Sequence, residues 1–166
     1  MTANTPVIDR YIAIWNEPDP ARRRDLIART WTDDASYVDP LVSADGPDAI
    51  DATVAAAQKQ FPGFSFRLAG PVDAHHNLAR FTWELAPAAD QDAIVVGFDV
   101  TVFAPDGRLR QVHGFLDKVP TARRDVTTRR GPSQAAAKDL SSSSVRFLDD
   151  QASAFSGSAT AFLPAM

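Results

Sequence analysis

The apolar residues of this chain change their spacing near Pro62, and this change constrains the fold more than any other feature. Before Pro62, apolar side chains recur every three or four residues, as in amphipathic helices. After it, they alternate with polar side chains, as in strands. Helices followed by strands do not supply the alternating units of a parallel sheet. The pattern therefore predicts an α+β fold with an antiparallel sheet.

Three helices are predicted, and each begins with a proline, whose missing amide costs no hydrogen bond at the first helical position. These prolines are Pro6, Pro20 and Pro47. Thr5 and Asp19 precede two of them as N-cap residues, and Pro62-Gly63 ends the third helix. The apolar stripes are Ile8, Tyr11, Ile12 and Trp15, then Leu26, Ile27 and Trp31, then Ile50, Val54, Ala57 and Phe61. The arginines at 22–24 are predicted to form a solvated face of the second helix.

Four strands are predicted from the alternating pattern, over 64–68, 79–85, 94–103 and 109–119. Pro105-Asp106-Gly107 separates the last two and is typical of a hairpin turn. His75-His76-Asn77 is predicted to be an exposed turn.

The charge of the chain changes sign after residue 120. Residues 1–120 have a net charge of −6, whereas residues 121–166 have a net charge of +2 and include a run of four serines at 141–144. A segment of this composition, without apolar periodicity, cannot bury enough surface to offset its ordering entropy. We therefore predict one domain over 1–120 and a disordered tail over 121–166.

The composition also argues against several classes of protein. The chain has no cysteine, which excludes disulfides and thiolate metal sites. Its net charge of −4 argues against a nucleic-acid partner, and no apolar run is long enough to cross a membrane. The first ten residues lack the pattern of a signal peptide, so a cytoplasmic location is expected. No trio of ligands has metal spacing, so no metal is predicted.

Two segments carry a resemblance to a known superfamily. Residues 31–40 read WTDDASYVDP, and residues 97–108 form a predicted hairpin that includes GFDVTVF and DGR. On these motifs the domain over 1–120 resembles the nuclear transport factor two-like superfamily, which includes ketosteroid isomerases, SnoaL-type polyketide cyclases and members that only bind. The resemblance implies a cone-shaped, curved sheet wrapped around three N-terminal helices, with an internal pocket.

The resemblance to ketosteroid isomerase extends to three functional positions. Asp39 falls on the general base of that enzyme, Tyr11 on its oxyanion tyrosine and Asp99 on its protonated oxyanion aspartic acid. This implies an isomerase or cyclase that acts on an apolar ketone by proton abstraction, without a cofactor. The connection from Tyr11 to Asp39 is longer here by about a turn of helix, and the end of the last strand differs, so the substrate is left open.

The residues themselves leave alternatives at each position. Asp39 could serve as a base or could only organise the turn into Pro40. Tyr11 could be an oxyanion donor or an ordinary core residue. Asp99 lies opposite an unbroken apolar strand face, so it points into the pocket if that face is an interface, or to solvent if that face is the core.

Aromatic residues and one histidine are predicted to line the pocket, as suits a flat, apolar ligand. They are Trp15, Trp31, Phe61, Phe66, Trp83, His113 and Phe115. The same aromatic residues would serve an ordinary core. The second functional hypothesis is therefore a non-catalytic protein that binds a small apolar molecule or a partner chain.

The apolar strand face predicts a homodimer through the outer side of the sheet. This face consists of Ile94, Val96, Phe98, Val100 and Val102. An apolar patch of this size on a folded domain usually meets a partner. Light scattering at high micromolar concentration should give the mass of a dimer, and a strictly monomeric mass would contradict this prediction.

Overall fold

A computed structural model describes residues 5–87 and 91–120, in which three helices accompany one sheet of seven strands. The helices are α1 (Thr5–Asn16), α2 (Pro20–Thr30) and α3 (Pro47–Gln60). The strands are β1 (Trp31–Val38), β2 (Ser43–Asp45), β3 (Ser65–Leu68), β4 (Asp73–His75), β5 (Leu78–Ala86), β6 (Val95–Phe103) and β7 (Leu109–Lys118). The predicted α+β class is confirmed. The tail predicted over 121–166 lies outside the described residues.

The predicted helix starts follow from local chemistry. The Asp19 carboxylate accepts a hydrogen bond from the amide of Arg22 at 2.8 Å, and Pro20 begins α2. Gly46 has a φ of 82° immediately before Pro47, a backbone shape that favours glycine. The helix α2 ends one residue earlier than its apolar stripe suggested, because Trp31 is already the first residue of β1. None of the described helices has the length and apolar character to cross a membrane.

The sheet is mixed and not purely antiparallel as predicted. Its strand order is β2-β1-β7-β6-β5-β3, with β4 also paired to β5, and the pairing of β1 with β7 is parallel. The predicted strands correspond to β3, β5, β6 and β7. The three-residue strands β2 and β4 are too short to show a period, and β1 was visible only through the resemblance.

The two faces of β6 decide the alternative left open for Asp99. Burial alternates along the strand, and the buried side includes Asp99, which has no exposed surface. The half-buried side, which includes Phe98 and Val100, is the outer face. Asp99 therefore faces the core and not solvent.

Two residues predicted to line the pocket lie on the wrong side of the sheet for that role. On β7, Phe115 pairs with Phe98 and His113 pairs with Val100. Directly paired residues share a face, so both side chains belong to the outer face, where Phe115 is 53% exposed. The prediction that His113 and Phe115 line the pocket is therefore corrected.

Arg23 also departs from the prediction of a solvated arginine face, because it is only 4% exposed. Its Nε donates to Asp51 of α3 at 2.6 Å, and its Nη1 donates to Gln58 Oε1 at 3.1 Å and to the Glu17 carbonyl at 3.3 Å. Neighbouring Arg24 approaches Asp51 at 3.8 Å with 58% of its side chain exposed. Arg23 thus joins α2 to α3 and to the end of α1.

Replacing Arg23 should destabilise the domain far more than replacing its neighbour. Arg23→Ala removes a buried partner of Asp51 and should cost about 3 kcal/mol of unfolding free energy. Arg24→Ala is the matched control and should cost less than about 1 kcal/mol, because that contact is exposed to solvent. Chemical denaturation measures both, and equal losses would show that Arg23 has no special role.

Candidate active site

A buried carboxyl group on β6 forms the centre of the site. Tyr11 of α1 donates its hydroxyl hydrogen to Asp99 Oδ2 at 2.7 Å. Trp83 of β5 donates its indole N–H to Asp99 Oδ1 at 3.0 Å. Burying an ionisable group is costly unless it is hydrogen-bonded. Each oxygen of Asp99 has a donor, which is what allows a carboxyl group in the core.

A glycine on β6 makes room for the indole of Trp83. Gly97 pairs directly with Trp83 across the two strands. A Cβ at Gly97 would overlap the six-membered ring of Trp83. The missing side chain lets the indole lie across β6 and reach Asp99, two residues along the same face.

The second carboxyl group, Asp39, follows β1 and is half-buried. Its Oδ1 accepts hydrogen bonds from the amides of Leu41 at 2.7 Å and Val42 at 2.9 Å. Its Oδ2 accepts from the Tyr37 hydroxyl at 2.7 Å. Oδ1 therefore organises the turn, which was one of the two roles predicted from the sequence. Oδ2 instead bonds to Tyr37, a side chain of the core.

The side chains of Asp39 and Asp99 both approach Gly114 of β7. A Cβ built on Gly114 would lie 3.0 Å from Asp39 Cβ, 3.2 Å from Asp99 Oδ1 and 3.5 Å from the Tyr37 hydroxyl oxygen. The first two distances are shorter than ordinary van der Waals contacts, so a side chain at Gly114 would crowd both acids, and the glycine allows them to lie close together. Asp39 and Asp99 therefore lie on the same side of the sheet, which proton transfer between substrate and both groups would require.

Burial controls the protonation of the buried polar groups. Desolvation raises the pKa of Asp99 to about 6, although the hydrogen bonds from Tyr11 and Trp83 act to lower it, and the nearby charge of Asp39 adds to the rise. Desolvation likewise raises the pKa of Tyr11 and of Tyr37 well above 10.0, and neighbouring carboxylates strengthen both shifts. Both phenols therefore remain protonated hydrogen-bond donors.

A row of four aromatic rings connects the two carboxyl groups. Ring centroids lie 5.6 Å apart from Tyr37 to Trp15, 5.1 Å from Trp15 to Phe66 and 5.4 Å from Phe66 to Trp83. The row begins at the partner of Asp39 and ends at the partner of Asp99. It brings together three of the predicted lining residues.

The Asn16 side chain fixes the middle of this row. Its amide nitrogen donates to the Phe66 carbonyl at 2.7 Å, and its oxygen accepts from the Phe66 amide at 2.8 Å. These two bonds occupy the free edge of β3 as a neighbouring strand would.

Two other predicted lining residues lie away from the row. Trp31 packs against Tyr11 with centroids 5.9 Å apart and is almost fully buried. Phe61 packs against Phe64 at 6.0 Å. Trp31 thus packs against Tyr11 and not against the aromatic row.

Sequence reasoning missed Tyr37 and the two glycines. Tyr37 could have been found, because it precedes Asp39 by two residues, and in a strand such residues share a face. Gly97 and Gly114 carry no chemical signal, and their role depends on which side chains cross them. Within 5–87 and 91–120, no group of three or more ligating side chains could hold a metal ion.

Comparisons with known proteins agree with this architecture. A family model described as a SnoaL-like domain matches residues 8–114. A proposed isomerase of the SnoaL-like family from Agrobacterium tumefaciens is 42% identical, with a TM-score of 0.66 over 70% of this chain and 99% of that chain. No curated protein matches the chain.

More distant structures share the fold alone. A proposed ketosteroid isomerase from Kribbella flavida is 18% identical, with a TM-score of 0.52 over 79% of this chain and 91% of that chain. A proposed SnoaL-like polyketide cyclase from Jannaschia is 16% identical, with a TM-score of 0.53 over 70% of this chain and 90% of that chain.

The raised pKa of Asp99 should make the domain lose stability as pH rises from about 4 to about 6. Over this range the folded state keeps a proton that the unfolded state, with an ordinary value of 3.8, has released. The stabilisation is fully present below that value and is lost as pH rises through the folded pKa. The loss should be on the order of 3 kcal/mol.

Asp99→Asn isolates this effect. The asparagine oxygen can accept from Trp83 and its amide can donate to Tyr11, so the fold should survive. Denaturation of both proteins between pH 4 and pH 7 should show the wild type losing about 3 kcal/mol relative to the variant. A difference that does not change with pH would contradict the assignment.

Proposed function

Because the chain belongs to the SnoaL-like family, we propose that it is a small-molecule isomerase or cyclase that removes a proton from a carbon next to a ketone, without a cofactor. The observation that supports this most is the approach of Asp39 and Asp99 to Gly114 from the same side of the sheet. Two carboxyl groups in unlike environments, one held by backbone amides and one desolvated, can divide the roles of base and acid.

Asp39 is the proposed general base. Its Oδ2 accepts one hydrogen bond, from the Tyr37 hydroxyl, while Oδ1 is occupied by two amides of the turn. In the reaction the carboxylate takes a proton from carbon, and the electron pair of the C–H bond moves so that negative charge develops on the ketone oxygen. Return of the proton to another carbon completes an isomerisation.

Tyr11 and Asp99 are the proposed donors to that oxygen. Below its pKa of about 6, Asp99 is protonated and can donate to the substrate directly. It can also donate to the Tyr11 oxygen, which frees the Tyr11 hydrogen for the substrate. Donors fixed in a desolvated site stabilise developing charge more than water does. Trp83 holds the other oxygen of Asp99 and so fixes the direction of the acid.

The surroundings favour an uncharged, apolar ketone. The aromatic row from Tyr37 to Trp83 makes the surroundings of both acids apolar. The groups that donate to Asp39 and Asp99 are uncharged: two tyrosine hydroxyls, one indole and two backbone amides. A carboxylate or phosphate placed beside the Asp39 carboxylate would therefore meet like charge, with no positive charge among these partners.

A non-catalytic binding protein is the second candidate. It is favoured by the hydrogen bonds of the free protein, because Asp39, Asp99, Tyr11 and Tyr37 all have partners within the domain. In that case the aromatic row alone would bind a small apolar molecule. Mutational loss of turnover distinguishes the two functions.

Replacing the proposed base should remove turnover and spare binding. Asp39→Asn should lower turnover of a β,γ-unsaturated ketone by several orders of magnitude with little change in substrate affinity, because the base acts in the transition state. Tyr11→Phe and Asp99→Ala should each cost roughly 10²-fold. Their combined effect should be less than multiplicative, because both serve one oxygen.

The matched control is Asp33→Asn, on the same strand as Tyr37 but with a fully exposed side chain. It should leave turnover unchanged. If Asp39→Asn kept the turnover of the wild type, the proposed mechanism would be wrong and the binding protein would be the better conclusion.

A further inference from the structure

Tyr37 contacts the proposed base but has no role in the mechanism proposed above. The chain has two tyrosines, and each donates to one carboxyl group of the site, Tyr11 to Asp99 and Tyr37 to Asp39. The oxygen that Tyr37 engages, Asp39 Oδ2, is the one that the turn leaves free. Since Oδ1 already accepts two amides, Oδ2 is the oxygen that can take a proton from substrate.

The Tyr37 hydroxyl also lies near the second acid of the proposed mechanism, Asp99. It lies 3.5 Å from the position of a Cβ at Gly114, and Asp99 Oδ1 lies 3.2 Å from the same position. The hydroxyl therefore contacts the proposed base and lies close to the proposed oxyanion donor.

We propose that Tyr37 is a switching hydrogen-bond donor, which donates to Asp39 while that group is anionic and to the substrate oxygen once Asp39 has taken the proton. This inference rests on the proposed function, and it adds a third donor to the oxyanion site.

The switch follows from the balance of protons and charge. When the substrate C–H bond breaks, the proton forms an O–H bond at Asp39 Oδ2, and the electron pair leaves a negative charge on the ketone oxygen. The new O–H group can then donate to the Tyr37 oxygen, which frees the phenol hydrogen. That hydrogen turns to the oxygen that now carries the charge, and no other reactant is required.

The surroundings of Tyr37 allow the hydrogen to turn while the ring stays in place. Its backbone pairs with Ala44 on one side and with Val112 on the other. The ring is almost fully buried, with the Trp15 ring centroid at 5.6 Å. Because burial keeps the phenol protonated, the hydroxyl is a donor at neutral pH and not a base.

The Asp39→Asn variant tests the switch directly, because asparagine has the charge that Asp39 has after proton transfer. Its amide can donate to the Tyr37 oxygen, as the protonated acid would. The probe is 4-nitrophenolate, which presents a negatively charged oxygen on an apolar ring and reports its ionisation by absorbance. We expect Asp39→Asn to bind this probe more tightly than the wild type.

Adding Tyr37→Phe to Asp39→Asn should weaken probe binding by roughly tenfold or more, because a hydrogen bond to a charged oxygen is lost. In the protein with Asp39 intact, Tyr37→Phe should have a smaller effect, since its hydrogen is then committed to Asp39. The four proteins form a double-mutant cycle whose interaction energy measures the switch. Tyr11→Phe is the control, because it removes the other buried phenol. It should weaken probe binding both in the wild type and in Asp39→Asn.

If Asp39→Asn and the double variant with Tyr37→Phe bind 4-nitrophenolate with equal affinity, this inference is overturned and the proposed function is left intact. Failure of both the wild type and Asp39→Asn to bind the probe would overturn the proposed function and this inference with it. Thermal midpoints establish that each variant is folded.

If Tyr37→Phe does not fold, a ring-fluorinated tyrosine at position 37 keeps the shape and the hydroxyl. Its more acidic phenol should tighten binding in the Asp39→Asn background, and unchanged affinity would overturn the inference.

Discussion

The burial of one carboxyl group at Asp99 sets the requirements for much of the domain. A carboxylate removed from water costs several kcal/mol unless donors replace the lost hydration. The donors here come from two directions, Tyr11 from a helix above the sheet and Trp83 from the neighbouring strand. The helix α1 must therefore lie where the Tyr11 hydroxyl can reach β6, and Gly97 must leave room for the indole. The burial of Asp99 therefore bears on the placement of α1, on the glycine in β6 and on the protonation of the site.

The second carboxyl group, that of Asp39, is positioned by backbone hydrogen bonds and not by burial in the core. Asp39 is half-buried, and backbone amides of a tight turn orient it, so its position depends on loop geometry and not on core packing. Tyr37 connects this turn to the core. Acid and base catalysis requires two acids in unlike environments, because one group must donate a proton or hydrogen bond while the other accepts a proton.

The parallel pairing of β1 with β7 brings these two carboxyl groups together. Tyr37 pairs with Val112, and Asp39 follows two residues later, so the turn after β1 lies beside Gly114. On the other side of β7, Gly114 pairs with Asp99 of β6. The glycine lets the two acids lie close together, because any larger residue at this position would crowd Asp39 and Asp99 at once. The edge strand β3 is fixed separately by Asn16, which holds Phe66 in the aromatic row.

The sequence by itself determined the α+β class, the helix starts and the family resemblance, because proline capping, hydrophobic period and the motif over 31–40 are local properties. It also named Asp39, Tyr11 and Asp99, which the structure brings together in one site. Only the tertiary structure decided which face of β6 is inside, since both faces of that strand suit an interior and alternation cannot tell inside from outside. His113 and Phe115 were misplaced for this reason. Arg23 differed from its neighbours only through Asp51, which is distant in sequence. The positions of Tyr37, Gly97 and Gly114 depend on contacts across strands, and such contacts exist only after the sheet has formed.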